Sequence, residues 1–515
     1  MTLTLISSFS QKLNPYFWYT HNATLLLALL LISTITLYTW LYFLKPKAQR
    51  LPPGPTGVPI FGNLLSLDPE LHTYFLGLAQ IYGPIFKLQL GRKLAIVLTS
   101  PSAAREVLKD HDVVFANRDV PAAGKAATYG GQDIAWTPYG AEWRMLRKVC
   151  VVKMLSNNTL DSVYDLRRSE VRRTVAYLKC RVGCAVSVGE QVFLGVMSVV
   201  TNMLWGGAVE GAEFREVVGD LTGLLGTPNV SDFFPALAWL DLQGVVKQVK
   251  VLASKLDVIF DRMIGERGEE KEGNKKDFLQ FLLNLKDEAA ADSKTPLTIT
   301  HIKALLMDMV IGGSDTSSNT IEFAMVEMMQ KPEVMRKVQE ELEVVVGKEK
   351  MVEESHIHNL PYMQAVMKET LRLHPVLPLL VPHCPSETTT VAGYTVPKGS
   401  RVFVNVWAIH RDPSIWEKPL EFDPTRFLDV KYDFSGNDFN YFPFGSGRRM
   451  CAGIAMAERT VLYFLATLVH LFDWTVAPGD KLDASEKFGI VLKKKIPLVA
   501  IPTPRWSNPD LYKSN

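Results

Sequence analysis

Between Thr300 and Lys331-Pro332 about thirty residues pass in a helical pattern that is apolar around much of its circumference: Ala304, Leu305, Leu306, Met309, Val310 and Ile311, then Ile321, Phe323, Ala324 and Met325. A surface helix carries one apolar stripe, whereas a helix apolar on most sides runs through the middle of a large protein. With 515 residues, 47% of them hydrophobic, the chain can bury one. Yet the centre of this helix reads GGSDTSSN, Gly312 to Asn319. Two glycines cost about 1 kcal/mol each relative to alanine in a helix interior. An acid and five hydroxyl or amide residues follow. A long buried helix that gives up stability at its centre accommodates something there.

The rest of the chain suits a body around such a helix. Helical patterns dominate, at about 140–180, 212–226, 246–266, 298–330, 332–346 and 359–373. Strand-like runs are short: Ile85–Leu90, Leu94–Leu98, Thr390–Val391 with Tyr394–Val396, and Arg401–Val406. The expected fold class is mainly α with a small β portion. The mixed-charge stretch Gly265 to Asp277 reads as a solvated loop within one domain, because candidate site residues fall on both sides of it. Lys and Arg total 56 against 54 Asp and Glu, so bulk charge gives no reason to expect nucleic acid as a partner. The five cysteines (Cys150, Cys180, Cys184, Cys384, Cys451) are odd in number and unclustered, which is no disulfide framework and fits reduced surroundings. Cys180 and Cys184 could share a helix face, but no histidine or second pair accompanies them as metal ligands.

The N-terminus departs from a soluble pattern. Residues 23–44 contain no charge and are long enough to cross a bilayer as a helix. Lys45, Lys47 and Arg50 follow directly, while only Lys12 is charged before, which places residues 1–22 in the lumen and the body in the cytosol. A cleaved signal peptide would have a shorter apolar core and a small-residue cleavage pattern. Tyr16–Tyr19, Trp40 and Tyr42 suit the two interfaces. Residues 45–63 form a basic, proline-rich hinge, and 64–515 a single domain. The sequons at Asn157 and Asn229 would then face cytosol and stay unmodified.

A second motif, FPFGSGRRMCAG from Phe442 to Gly453, sets Cys451 among three glycines and two arginines. A thiolate is a soft iron ligand that pushes electron density toward O–O cleavage. Glycines let a loop curl so that backbone N–H groups aim at the sulfur. Phe444 can shield the sulfur and Arg449 can meet a haem propionate. On Cys451 alone, a buried cysteine in a glycine turn accounts for the sequence at least as well.

The spacing Phe444-x-x-Gly447-x-Arg449-x-Cys451-x-Gly453 resembles the haem-binding signature of the cytochromes P450, and the resemblance runs over nearly the whole chain, closest in style to microsomal plant enzymes. It implies the P450 fold, with haem b ligated by Cys451 and contacted by Phe444, Gly447, Arg449 and Gly453. Trp143 and Arg147, in AEWRMLRKV, match a family W-x-x-x-R that reaches a haem propionate; alone they suit any amphipathic helix. His383, in LVPHCP, stands where many relatives place a propionate partner, the bland alternative being a loop histidine. Glu369 and Arg372 of KETLRLHP, with Arg426 of FDPTRF, match the family's buried E-x-x-R triad, a structural role. His374 reads as a helix-end residue rather than a ligand. Gly312–Ser317 matches the oxygen-activation motif, implying that Asp315 and Thr316 relay protons in a groove kept open by glycine; the local alternative is a Thr316 hydroxyl bonded back to the Gly312 carbonyl.

The resemblance further implies O2 as co-substrate, with electrons from NADPH arriving through NADPH–cytochrome P450 reductase, since no convincing nicotinamide-binding motif is present. Arg144, Lys148 and Arg448 are expected to attract that partner. Substrate contacts are expected from Ala122–Gln132, Val230–Leu240, Met309 and Gly313, Val376–Val381 and Phe488–Ile490, mostly apolar or small, which favours a lipophilic terpenoid, then a flavonoid or other phenolic. Asn229–Gly244 is apolar and aromatic enough to dip into the endoplasmic reticulum membrane. A haem-thiolate isomerase or lyase without O2, or a non-catalytic haem sensor, would leave the acid–alcohol pair without purpose.

Overall fold

The computed structural model describes residues 25–26, 28–29, 31–34, 36, 50–207, 212–269, 277–289, 295–430 and 432–514. The chain divides into two units, residues 1–50 and Leu51–Asn515. In the first, the described residues between 25 and 36 are helical and exposed. The lumenal segment 1–22, much of the 23–44 anchor and most of the mixed-charge loop lie outside the described residues. Among the described residues one helix is long and apolar enough to cross a membrane, Ile454–Leu471, and 72% of it is buried inside the protein.

The second unit is organised by helices α1 (Leu71–Tyr82), α2 (Ala141–Lys148), α3 (Tyr164–Cys180), α4 (Val188–Trp205), α5 (Val245–Glu269), α6 (Ile299–Gln330), α7 (Pro332–Val345), α8 (Pro361–Leu373) and α9 (Ile454–Leu471). Helix α6 is the long central one. Thr298 caps it reciprocally with His301: the Thr298 hydroxyl accepts the His301 N–H at 3.1 Å, and His301 Nδ1 accepts the Thr298 N–H at 3.2 Å. It stops at Lys331, which Pro332 forces out of helical geometry. Val310, Ile321, Ala324 and Met325 are fully buried in a core shared with α4 and α9, and Phe323, also fully buried, stacks on His374. Each large apolar chain so buried contributes about 1.5–3 kcal/mol.

The expected 140–180 helix is broken. Helix α2 loosens into a π turn at Val149–Met154, and Ser156 starts a new helical segment by accepting the Thr159 N–H. Ser156, Asn157 and Asn158 offer the backbone local partners that compete with helix continuation.

The β portion is small. Strands β1 (Ile85–Leu90) and β2 (Lys93–Leu98) form a hairpin in register from Ile85↔Leu98 to Leu90↔Lys93. Strands β3 (Val186–Ser187), β4 (Thr389–Val391), β5 (Tyr394–Val396) and β6 (Arg401–Val404) follow, with β6 parallel to β2. Then come β7 (Phe472–Thr475), β8 (Glu486–Lys487), β9 (Lys493–Lys494) and β10 (Val499–Pro504), and β10 lies between β3 and β7. The proline-rich stretch from Leu51 packs on β1, where the Pro53 carbonyl accepts the Lys87 N–H at 2.8 Å and Asn63 Oδ1 the Gln89 N–H at 2.8 Å.

Candidate functional site

The loop before α9 closes on itself, the Cys451 N–H donating to the Phe444 carbonyl at 3.0 Å. Gly447 has φ +69°, and a Cβ there would stand 2.1 Å from the Leu108 carbonyl oxygen, so no other residue fits. The Gly453 N–H donates to Cys451 Sγ at 3.3 Å. Burial raises the Cys451 thiol pKa, opposed by that N–H and by the Arg147 charge. Deep as it lies, Cys451 keeps its surface uncovered by protein. It faces an internal hollow. Phe444 sits beside the loop in an edge contact with Phe434, ring centroids 5.0 Å apart.

Around that sulfur gather cations without matching acids. Arg449 donates to the carbonyls of Ala116 at 2.6 Å, Ile134 at 3.1 Å and Thr137, and its guanidinium lies 4.6 Å over the Trp143 ring. Trp143 Nε1 also donates to the Ile134 carbonyl, at 3.1 Å, so its own N–H is committed to the protein. Arg147 is desolvated, which lowers its pKa. A further arginine that the motifs did not flag, Arg118, donates to the Val381 and Pro382 carbonyls while its Nε stays buried without a partner. Burial and the neighbouring Arg449 charge lower its pKa to about 9. His383 joins them: the Phe115 carbonyl accepts a hydrogen bond from its Nδ1 at 2.9 Å, and burial with the Arg118 and Arg449 charges drives its pKa well below the usual value.

On α6 the helix is continuous through Gly312–Asn319. Gly312 is exposed in the middle of this otherwise buried helix, and a Cβ there would meet nothing within 4 Å. The Thr316 hydroxyl donates back to the Gly312 carbonyl at 2.6 Å, the local alternative that the sequence left open. Asp315 is buried, with Oδ2 2.7 Å from Lys493 Nζ of β9. Two turns earlier, Asp308 accepts the Ile134 N–H at 2.9 Å, and its carboxyl faces that of fully buried Asp133. Burial, and for Asp308 the charge of its neighbour, raises both acids. Asp308 interrupts an apolar run just as Asp315 does, so the same sequence signal was available for it.

Behind the loop, Glu369 and Arg372 are fully buried and paired in fork geometry, at 2.6 and 2.8 Å. Arg372 also reaches the carbonyls of His410, Pro419 and Glu421, and the Asp423 N–H donates to Glu369 at 2.8 Å. Arg426 approaches Glu369 at 3.4 Å without a well-aligned hydrogen bond. The structure thus brings the three together. Cys180 and Cys184 are exposed, and no cluster of metal-ligating side chains occurs among the described residues. His374 ends α8 between Glu327 at 2.9 Å and Glu486 at 2.6 Å, a buried ion-paired residue.

These features fit a group that bears carboxylates and takes a sulfur ligand. The orphaned Arg118 Nε and the acid-poor cation cluster answer the carboxylates, and the Gly453 N–H answers the thiolate. The Cytochrome P450 family profile matches residues 52–500. A flavonoid 3'-monooxygenase of Crocosmia x crocosmiiflora is 40% identical over 502 residues, 93% of this chain and 98% of that protein. A geraniol 8-hydroxylase of Swertia mussotii is 40% identical over 494 residues, 93% of this chain and 99% of that protein. A solved zebra fish cytochrome P450 with progesterone superposes with a TM-score of 0.74 at 25% identity, over 85% of this chain and all of that one. The chain belongs to the cytochrome P450 family. It is a haem-thiolate monooxygenase that uses O2 and electrons delivered by a redox partner, and it acts on lipophilic substrates.

Proposed function

We propose that this enzyme hydroxylates a terpenoid on the cytosolic face of the endoplasmic reticulum, anchored by residues 23–44 and reduced by NADPH–cytochrome P450 reductase. The observation that carries the substrate class is the apolar closure of the expected pocket. Phe233, Leu379 and Phe488, from three of its segments, share one buried cluster, and Gly226 lies against the Ile490 backbone. A flavonoid is the second reading, favoured by the equal likeness to the flavonoid 3'-monooxygenase.

In this reading haem bound through Cys451 supplies the centre at which O2 is reduced and one oxygen atom passes to substrate. Arg118, Arg147 and Arg449 hold its carboxylates, with His383 and Trp143 completing that wall. The Gly453 N–H holds negative charge at Sγ. Thr316 turns its hydroxyl from the Gly312 carbonyl toward the hollow, and Asp315, released from Lys493, resupplies the proton. Glu369, Arg372 and Arg426 keep the loop's support rigid. Arg144 and Arg448 both lie against the Tyr139 ring, at 5.7 and 5.5 Å, which sets them beside each other for an acidic-faced reductase, with Lys148 one turn along.

Terpenoid and phenolic libraries screened by the shift of the ferric Soret band test the substrate class, with reductase-supported turnover under isotopically heavy O2 to identify the product. A library in which only phenolics shift the band would reverse the order. Reduced protein under carbon monoxide must show thiolate-type absorption; an imidazole-type spectrum would overturn the ligand. Thr316→Ala is expected to lower product per NADPH about 10²-fold while peroxide release rises. Tight coupling in that variant would remove Thr316 from the relay.

A further inference from the structure

The edge of the β1–β2 hairpin carries two features side by side. One is an exposed apolar face: Val58, Ile60 and Phe61 from the proline-rich stretch, with Leu237, Trp239 and Leu240 from the segment after α4; Trp239 is 81% exposed. The two strips form one surface, since the Phe61 and Phe234 rings meet edge-on at 5.9 Å. The hairpin turn ties them together, Gly91 donating to the Phe61 carbonyl at 3.1 Å and Arg92 to the Phe233 carbonyl at 3.1 Å.

The other feature is a groove of about 530 Å³ at the margin of this face, lined by Arg92, Lys93, Leu94, Pro235 and the turn Pro397–Ser400. Arg92 and Lys398 are exposed, and among the described residues neither has an acidic partner. Lys93 shares Asp119 with Arg401. Asp232 stands close by, committed to the Ala122 N–H, and burial raises its pKa. Four cations thus face two acids. The positive excess sits on Arg92 and Lys398, which line the groove together with the apolar Leu94 and Pro235.

A small free anion would be held by donors converging on one point. Here two cations without acidic partners among the described residues line a groove with Leu94 and Pro235, next to an exposed apolar face of six side chains. We propose that this groove binds the headgroup of an anionic phospholipid, orienting the catalytic body while Trp239 and its neighbours enter the acyl boundary. The inference rests on the membrane-bound reading above and assigns a lipid site within it. Cations at an anionic surface favour the bound orientation by about fivefold each.

The test uses full-length protein in phosphatidylcholine vesicles with brominated acyl chains, with and without phosphatidylserine. The chain has ten tryptophans, so the difference between wild type and Trp239→Phe isolates the quenching of Trp239. The expected result is quenching in both lipids and a phosphatidylserine-dependent increment. The pair Arg92→Glu with Lys398→Glu removes that increment but keeps the phosphatidylcholine level, and the milder pair Arg92→Gln with Lys398→Gln does likewise. An increment that survives both pairs, or none in wild type, overturns the headgroup site while leaving membrane docking intact. Cancellation of the increment by inorganic phosphate at matched ionic strength assigns the groove to free anions and also overturns it. Trp239 unquenched in every vesicle would refute the docking reading itself.

Discussion

Two arginine clusters lie on either side of the Cys451 loop, and they are built on opposite plans. Arg372 is fully buried, yet its Nε, Nη1 and Nη2 all donate to protein, to Glu369 and three carbonyls, and the Glu369 charge offsets its own. Arg118, Arg147 and Arg449 have no ion-paired acid among the described residues, only neutral carbonyls, an indole face and one orphaned nitrogen. The acid whose charge reaches Arg118 and Arg449, Asp133, turns its carboxyl toward Asp308. A network that satisfies itself serves the fold, because removing a partner leaves a buried charge. A cluster that keeps its charge unbalanced against desolvation is shaped for an anion the chain does not supply.

The largest effect that could break this contrast comes from the satisfied side. Glu369→Ala should destabilise the protein by about 3–5 kcal/mol, in haem-free and haem-loaded forms alike, because Arg372 is left buried and unpaired. Denaturant unfolding of both forms reads this out; a loss confined to the loaded form would make Glu369 part of the haem site. On the other side, Arg118→Leu should weaken haem retention about ten- to a hundredfold, measured by haem transfer to an acceptor protein, with little change in haem-free stability. Equal losses in both forms would place Arg118 with the structural arginines.

A smaller effect concerns His374. Burial opposes its charge, but Glu327 and Glu486 outweigh burial and raise its pKa. Its stabilisation is therefore complete below the unfolded value, about 6.5, and is lost as pH rises through the higher folded value. Thermal midpoints should fall on that alkaline side, and His374→Gln should flatten the fall. Smallest is the Asp133–Asp308 pair. Carboxyls raised in the fold favour it while protonated, so this contribution fades as pH climbs from the unfolded value, about 3.9, through the folded ones. Asp308→Asn should reduce that slope in the haem-free protein, leaving the part due to buried Asp133; an unchanged slope would show that Asp308 contributes nothing to it.

Elements with a strong period were legible from the residues: α6, α7 and α8, and the β1–β2 hairpin, lie within a residue or two of expectation. Helices α4 and α9 were not anticipated. Both are buried on most sides, and an apolar segment rich in branched residues has little periodicity to reveal it. In the site, Cys451, Gly447 and the Glu369–Arg372 pair stood out because their spacing is local. Arg118, Asp133 and Lys493 did not, since their partners lie far along the chain.

The sequence by itself determined the sulfur loop, since Gly447 admits no side chain there, and the central helix, whose apolar circumference leaves it no place but the core. Only the tertiary structure decided which charges are balanced. Whether an arginine serves the fold or waits for a ligand depends on the acids within a few ångströms of it; for Arg372 that acid is three residues away, but for Arg118 and Arg449 the surroundings are set by packing against segments hundreds of residues apart.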